Sequence, residues 1–473
     1  MTAPVYTKAQ NSPKPLWRAI RHLLRASTFA GALGLAGIGA ATPANLTLAQ
    51  ADALAAQALG AGQPRLAYNL SKGLLQADPH NPRALYFQAV ALAQAKAYGA
   101  AERKAALAYW HAKSDAQRFQ AANLAAELSF ADERLTGSQF WLRRAVDHAP
   151  DEVARAQTVT AFQNVRARNP LRFDFRFSTT PSDNVNNGAN SPLNVIDGVP
   201  VVGTLSPSAQ ALSGWITTAQ AALSYRLAKS DGRETRVRAR VNARRVDISD
   251  SVPGLSGDDL SSTVAELGLT QYLRGTSAAV TWKFDLDGGR VWYADDPLYD
   301  FARVGATRHH RLTDRLMLSF GGSFEDQRYE SARGADSTVA SGFAGVGLTL
   351  ESGAQIGFQV QYRDTDSNGI NRASDQWTGI ASYQLGRDIG PASLEFSLGL
   401  SQLDYSSYQV GFISVPGGRD DRSVFGGVTA TFNDWGYMGF VPTLTVTSER
   451  SDSNISRFDV EETSITLGIR SEF

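Results

Sequence analysis

Arg236, Arg238, Arg240 and Arg244 stand at even positions of one short stretch, with Val237, Ala239, Val241 and Ala243 between them. An extended chain sends alternate side chains to opposite faces, so the four guanidinium groups share one face. Such a row could grip or select a passing chain by its charge. It could equally form salt bridges with Asp or Glu of neighbouring strands and stiffen a wall. Asp183, Asn184, Asn186 and Asn187 cluster around Val185. Their oxygens could ligate Ca²⁺, or the cluster could simply favour a bend. Asp295-Asp296 and Asp420-Asp421 read as solvated loop pairs. His309 and His310 are adjacent in a strand-like stretch and face opposite sides, so they do not readily share a metal. No nucleophile elbow, zinc-protease motif, P-loop or dinucleotide fingerprint occurs in a supporting context. The expectation is a protein that is not an enzyme and carries no cofactor and no metal site.

The bulk properties narrow the class. The chain has 473 residues, room for two or three domains. Lys plus Arg and Asp plus Glu both number 46, a balance that argues against nucleic acid as a partner. Cysteine is absent, which excludes thiol chemistry, disulfides and a lipid anchor on an N-terminal Cys. Mean hydropathy is −0.23, and downstream of residue 45 there is no apolar run of about 18 residues, so a bundle of membrane helices is excluded. A β-barrel is not excluded, because its strands alternate.

Residues 1–44 read as an export signal. Lys14, Arg18, Arg21 and Arg25 precede an Ala/Gly/Leu-rich segment from Ala26 to about Ala41, and Thr42-Pro43-Ala44 offers small residues for cleavage. An uncleaved anchor is the alternative, and a start codon downstream of Met1 fits the long basic region.

Residues 45–169 read as a tetratricopeptide-like helical solenoid. Apolar residues recur at helical spacing, for instance Leu85, Ala89, Leu92 and Ala93, then Ala105, Ala106 and Tyr109. Breakers separate the helices at Gly60 to Pro64, Asp78 to Pro82, Tyr98-Gly99, Lys113 to Asp115, Thr136-Gly137 and Ala149 to Asp151. Pro79 and Pro150 lie 71 residues apart, about twice the 34-residue tetratricopeptide period. Three helix pairs and a closing helix over about Glu152 to Arg168 suffice for a shared core. Such a unit either binds a peptide or partner on its concave face or serves as a rigid spacer or lid.

Residues 170–473 change character. Leu171, Phe173, Phe175 and Phe177 alternate with Arg172, Asp174, Arg176 and Ser178, which is a strand with one apolar and one wet face. The pattern returns around Val237, Val280 and Ile356. Many segments exceed ten residues, as a tilted membrane crossing requires, and aromatic residues (Trp215, Tyr225, Tyr272, Trp292, Tyr362, Trp377, Trp435) fall towards segment ends, where a girdle is expected. Short turns interleave with mostly longer loops, the habit of outer-membrane barrels. The count is about fourteen antiparallel strands. An even number puts both barrel ends on one side, which must be the periplasmic side if the helical repeats precede strand one. The last strand ends in Phe473, the kind of residue read by barrel-assembly machinery.

Two motifs carry a family resemblance. One is Pro181-Ser182-Asp183-Asn184-Val185-Asn186-Asn187-Gly188-Ala189 after the first strand. The other is the last hairpin, Ser448-Glu449-Arg450-Ser451-Asp452-Ser453-Asn454-Ile455, with Leu467-Gly468-Ile469 and Phe473 beyond it. Both resemble the C-terminal barrel domain of the surface lipoprotein assembly modifiers (Slam), which join a tetratricopeptide-like periplasmic domain to a fourteen-stranded barrel. The resemblance covers nearly all of the chain after the signal. It implies a monomeric outer-membrane translocation factor whose partners are an exported lipoprotein or a soluble haem-binding-type cargo, the barrel-assembly machinery and outer-membrane lipids. It implies no catalytic residue. The alternatives are a polysaccharide-export porin, suited by an Arg-dense lumen, and a passive outer-membrane channel or receptor.

Overall fold

The computed structural model describes residues 46–471 except 251, 276–278 and 331–333. The export signal expected over residues 1–44 and the terminal Phe473 lie outside the described residues. Two compact units follow one another, one reaching Phe162 and the other starting at Gln163.

The first unit holds seven helices, α1 (Leu48–Gly60), α2 (Pro64–Ala77), α3 (Pro82–Gln94), α4 (Tyr98–His111), α5 (Asp115–Ala131), α6 (Leu135–Asp147) and α7 (Glu152–Arg168), the last running on into the second unit. The first helix of each pair is capped by a side chain. Thr47 and Gln50 form a capping box on α1, Asn81 accepts from the N–H groups of Arg83 and Ala84, and Ser114 accepts from that of Gln117. The second helix of each pair follows a turn with one residue in the left-handed region: Gly62, Lys96 and Glu133. At each turn two N–H groups fold back on the last carbonyls, as from Gln63 to Ala58, Ala97 to Leu92 and Arg134 to Ser129. Three equivalent turns at this spacing establish the repeat. At matching places the second helices bury Ala67, Ala101 and Ser138, whose small side chains let paired helices approach closely. Two boundaries differ from the sequence reading: the second pair is split at Ala95 to Ala97, with Tyr98 and Gly99 opening α4, and the third at Asp132 to Arg134, with Gly137 inside α6, where a Cβ would meet Ser129 Oγ at 3.3 Å.

The second unit is a closed antiparallel barrel of fourteen strands. They are β1 (Leu171–Ser182), β4 (Gly214–Ser230), β5 (Arg233–Ile248), β6 (Ser262–Arg274), β7 (Val280–Tyr293), β8 (Asp296–Arg311), β9 (Leu316–Tyr329), β10 (Ser337–Thr349), β11 (Gln355–Ser367), β12 (Ser374–Gln384), β13 (Ser393–Tyr405), β16 (Arg419–Thr431), β17 (Phe440–Ser453) and β18 (Val460–Ser471). Each pairs with its sequence neighbours in the barrel, and β1 meets β18 to close it. Two small hairpins, β2 (Leu193–Ile196) with β3 (Val199–Thr204) and β14 (Tyr408–Val410) with β15 (Ile413–Val415), are built within loops and stand outside the barrel.

Connection lengths depart from strict interleaving. Among the longer loops, β7 and β8 are joined by Ala294 and Asp295 alone, with φ of 52° and 61°, the mirror-image turn that suits strand twist. Among the short turns, residues 385–392 and 432–439 are extended, the latter by a 3-10 turn over Asn433–Trp435. The acidic pairs also move: Asp296 opens β8, and Asp420 and Asp421 lie in β16 rather than in a loop.

Candidate functional site

The two faces of the barrel wall follow from register. Phe177 faces Ala219 on one side and Ile469 on the other, Val237 faces Tyr225 and Leu269, and Leu398 faces Ala381 and Gly426. This face is open, with Leu267 at 66 % and Leu398 at 59 % exposure. Leaving one such side chain in water forfeits about 1.5–3 kcal/mol of burial. A belt of them around a closed barrel is therefore the surface of a protein that crosses a membrane with strands, since closure leaves no backbone edge bare in lipid. Trp215, Trp292, Tyr362 and Trp377 stand on this face near the strand ends that carry the longer loops, and Tyr225 and Tyr383 near the other ends. Tyr272 does not join a girdle. It is in register with Glu234 and Lys283, on the inner face.

The inner face of β5 to β9 is an ionic lattice. Arg236 is buried, ion-paired with Glu234, and donates to Ser224 Oγ at 3.3 Å. Arg238 donates to Asp285 Oδ1 at 2.9 Å and Asp287 Oδ1 at 2.6 Å. Arg240 lies 3.2 Å from Glu266. Arg303 reaches Glu266 and Glu325, each at 3.1 Å, and Lys283 reaches Asp285 at 2.7 Å. The named cations Arg236, Arg238, Arg240, Lys283 and Arg303 are thus matched by Glu234, Glu266, Asp285, Asp287 and Glu325. Arg244 does something else. It donates to the carbonyls of Leu260 at 2.6 Å and Val185 at 2.9 Å, tying two outer loops to the wall. The inner face of β10 to β13 is mostly neutral, with Ser341, Gln359, Gln361, Gln376, Thr378 and Ser401 in the corresponding places and Arg363 between Ser341 and Gln376. Inward phenylalanines lie over cross-strand glycines, Phe301 on Gly289, Phe343 on Gly321 and Phe425 on Gly399.

The asparagine motif is a structural knot. Asn184 is buried, its Nδ2 donating to the Gly188 carbonyl at 2.9 Å and its Oδ1 accepting from the Gly188 N–H at 2.6 Å. Asn186 donates to the carbonyls of Ser208 and Gln210 and accepts from the Leu212 N–H. Asn187 takes a positive φ of 50°, and its carbonyl accepts from Arg457. The side-chain amides of Asn184 and Asn186 are committed to backbone groups. His309 Nδ1 pairs with Ser319 Oγ at 2.9 Å.

The outer loops build a cap that the sequence did not reveal. Ile196 of β2, Val415 of β15 and Ile455 bury one another, with Val201, Tyr408, Val410 and Phe458 around them. Arg419 inserts among Tyr405, Tyr408 and Phe458, with its charged carbon 3.2 Å from the Phe458 ring centre, and pairs with Asp421. Such a cluster joins three loops far apart in sequence, so no local pattern could signal it.

In the helical unit, Tyr86 on α3 and Glu127 on α5 interact. Glu127 keeps open side-chain surface although its surroundings are crowded. That crowding pushes its carboxyl up from 4.5 to about 7. Tyr86 is pushed up to about 12 by burial and then by the Glu127 charge.

Comparison with known proteins adds the following. The chain matches no family model and no curated protein. Among solved structures, it is similar to a loop-deletion mutant of OmpT, an outer membrane protein of Vibrio cholerae, at 10% identity over 64% of this chain and 99% of that one, TM-score 0.33. It is similar to the outer membrane channel DcaP of Acinetobacter baumannii at 8% identity over 64% and 97%, TM-score 0.37. The helices are similar to the first TPR domain of human RPAP3 at 18% identity over 26% and 93%, TM-score 0.23.

Proposed function

We propose that the protein is an outer-membrane export factor of a Gram-negative cell, in which the helical repeats hold cargo in the periplasm and the barrel provides the crossing. The observation that carries this reading is the direct junction of a repeat solenoid with a closed barrel. Helix α7 ends at Arg168 and β1 begins at Leu171, at the barrel end that also bears the turns β4–β5 and β8–β9. The Slam-like motifs after β1 and in the β17–β18 hairpin support a lipoprotein, or a related soluble haem-binding-type protein, as that cargo. The protein would act as a monomer placed by the barrel-assembly machinery, without catalysis.

A porin for an anionic polymer needs free positive charge along its path. Arg236, Arg238 and Arg240 are instead matched by carboxylates. The export reading is tested by deleting the gene and shaving intact cells with protease. A surface lipoprotein or haem-binding protein should lose its exposure in the mutant. If every surface protein keeps its exposure, the reading fails.

A further inference from the structure

We infer that the barrel opens sideways along the β1–β18 seam, and that an extended stretch of the exported polypeptide is what the opened edges receive. The second clause rests on the export reading. The first rests on the seam itself.

Among the described residues, which on β18 end at Ser471, β1 and β18 run in register over Arg176–Thr179 against Leu467–Arg470, and towards the outer rim the register stops at Thr179 although β1 continues to Ser182 and β18 begins at Val460. On its other side β1 pairs with β4 as far as Ser182, opposite Gly214. Chain geometry explains why the ladder stops at Thr179. The N–H of Phe175 reaches Ser471 Oγ on β18, while the carbonyl of Pro170 accepts from Arg226 on the β4 side. Backbone groups alternate between neighbours along a strand, so the odd residues of β1 address β18. Pro181 is next in that series after Thr179, and it has no N–H to give. Extension of the register would set it opposite Ile465, whose carbonyl gains no ladder donor from it.

Beyond Thr179 the seam is fastened by side chains instead. Thr180 Oγ1 and Thr466 Oγ1 are 2.7 Å apart, and Ser182 Oγ donates to Glu462 Oε1 at 2.6 Å. Over them the first long loop forms a strap. The Asn190 N–H donates to the Asp459 carbonyl at 3.3 Å, the Asp197 N–H donates to the Asn454 carbonyl at 2.8 Å, and Ile196 packs on Ile455. Hydroxyl and loop contacts at the outer rim can exchange for water, whereas a backbone ladder in lipid cannot. An opened seam would leave N–H and C=O groups bare in lipid, a cost that an extended peptide removes by pairing with the edges. Opening is thereby coupled to an occupant, and the ion-linked strands β5 to β9 hold the rest of the wall.

The chain has no cysteine, so engineered disulfides are unambiguous. One variant carries Thr180→Cys and Thr466→Cys across the seam. A control carries Thr429→Cys and Thr445→Cys across β16–β17, where the hydroxyls are 3.1 Å apart. Oxidised, the seam variant should lower cargo exposure on the cell by about tenfold, with recovery on reduction, and the control should export normally. Normal export through the oxidised seam, in cells where gene deletion abolishes export, would overturn the inference and leave the export reading intact. Hydrogen exchange of the full-length protein in lipid nanodiscs decides the opening without reference to export. Backbone amides of Leu467 and Ile469, which address β1, should exchange about tenfold faster than those of Thr466 and Gly468, which address β17. Equal protection would overturn the inference.

Discussion

The inner wall of β5 to β9 and the β1–β18 seam belong to one continuous sheet, yet they are held by opposite means. In the wall, long ladders are overlaid by a second layer of ion pairs that crosses strand boundaries, as Arg303 links Glu266 on β6 to Glu325 on β9. At the seam the ladder stops at Thr179, short of the outer rim, and threonine, serine and a loop strap complete the closure. The difference teaches that a closed barrel need not be uniformly closed. Stiffness can be concentrated in one arc while a single line keeps the freedom to part.

The largest test of this contrast removes a partner from the wall. Arg238→Ala takes the nearest cation from Asp287 and leaves Asp285 with Lys283 alone, at a cost of up to about 3 kcal/mol. Urea titration of the refolded protein, followed by the mobility difference of folded and unfolded barrels, should show a lower midpoint. An unchanged midpoint would mean that the lattice does not stiffen the wall. Next comes Gly188→Ala in the strap. A Cβ there would lie 2.2 Å from the Gln210 carbonyl group, and relieving the clash costs about 1–3 kcal/mol. The first long loop should become cleavable by protease while the barrel stays folded, and seam exchange should quicken. Arg419→Lys is milder. It removes the flat contact with Phe458 and the paired bonds to Asp421, about 1–2 kcal/mol, and should raise protease sensitivity of residues 406–418 with little change at the wall.

The smallest effect concerns the helical unit. Glu127 titrates near 7 when folded and near 4.5 otherwise, so the folded state binds the proton more tightly. Its contribution to stability is fully present below pH 4.5, declines as pH rises from there to about 7, and is absent above. The helical melt of the full-length protein should therefore come about 2 °C lower at pH 8 than at pH 5, and Glu127→Gln should flatten that difference.

Much of the architecture could be read from periodicity alone. The run Leu171 to Ser178 alternates without error because one face meets lipid and the other water, and the same constraint marks β5, β7 and β11. The seven helices were legible because their caps and breakers are local. What escaped was whatever depends on non-local register or on a residue acting against type. Lys96 and Glu133 take the left-handed turn position that Gly62 announces plainly, so the splits of the second and third pairs read at Gly99 and Gly137 instead. Tyr272 looked like a girdle residue by its place near a strand end, but its parity sends it inward. The arginine row was visible, while its partners Asp287, Glu266 and Asp285 belong to two further strands whose stagger no single segment encodes. The hairpins β2–β3 and β14–β15 hid inside loops because their apolar residues pack on each other's loops rather than on the barrel.

The account stands on a barrel wet inside and lipid-wetted outside, and one labelling experiment addresses that directly. Single cysteines placed in turn at Phe358, Gln359, Val360 and Gln361 of β11, in protein reconstituted into lipid vesicles, are exposed to a membrane-impermeant maleimide. Gln359→Cys and Gln361→Cys should label quickly, and Phe358→Cys and Val360→Cys should resist until detergent dissolves the bilayer. Equal labelling at all four positions would contradict the account.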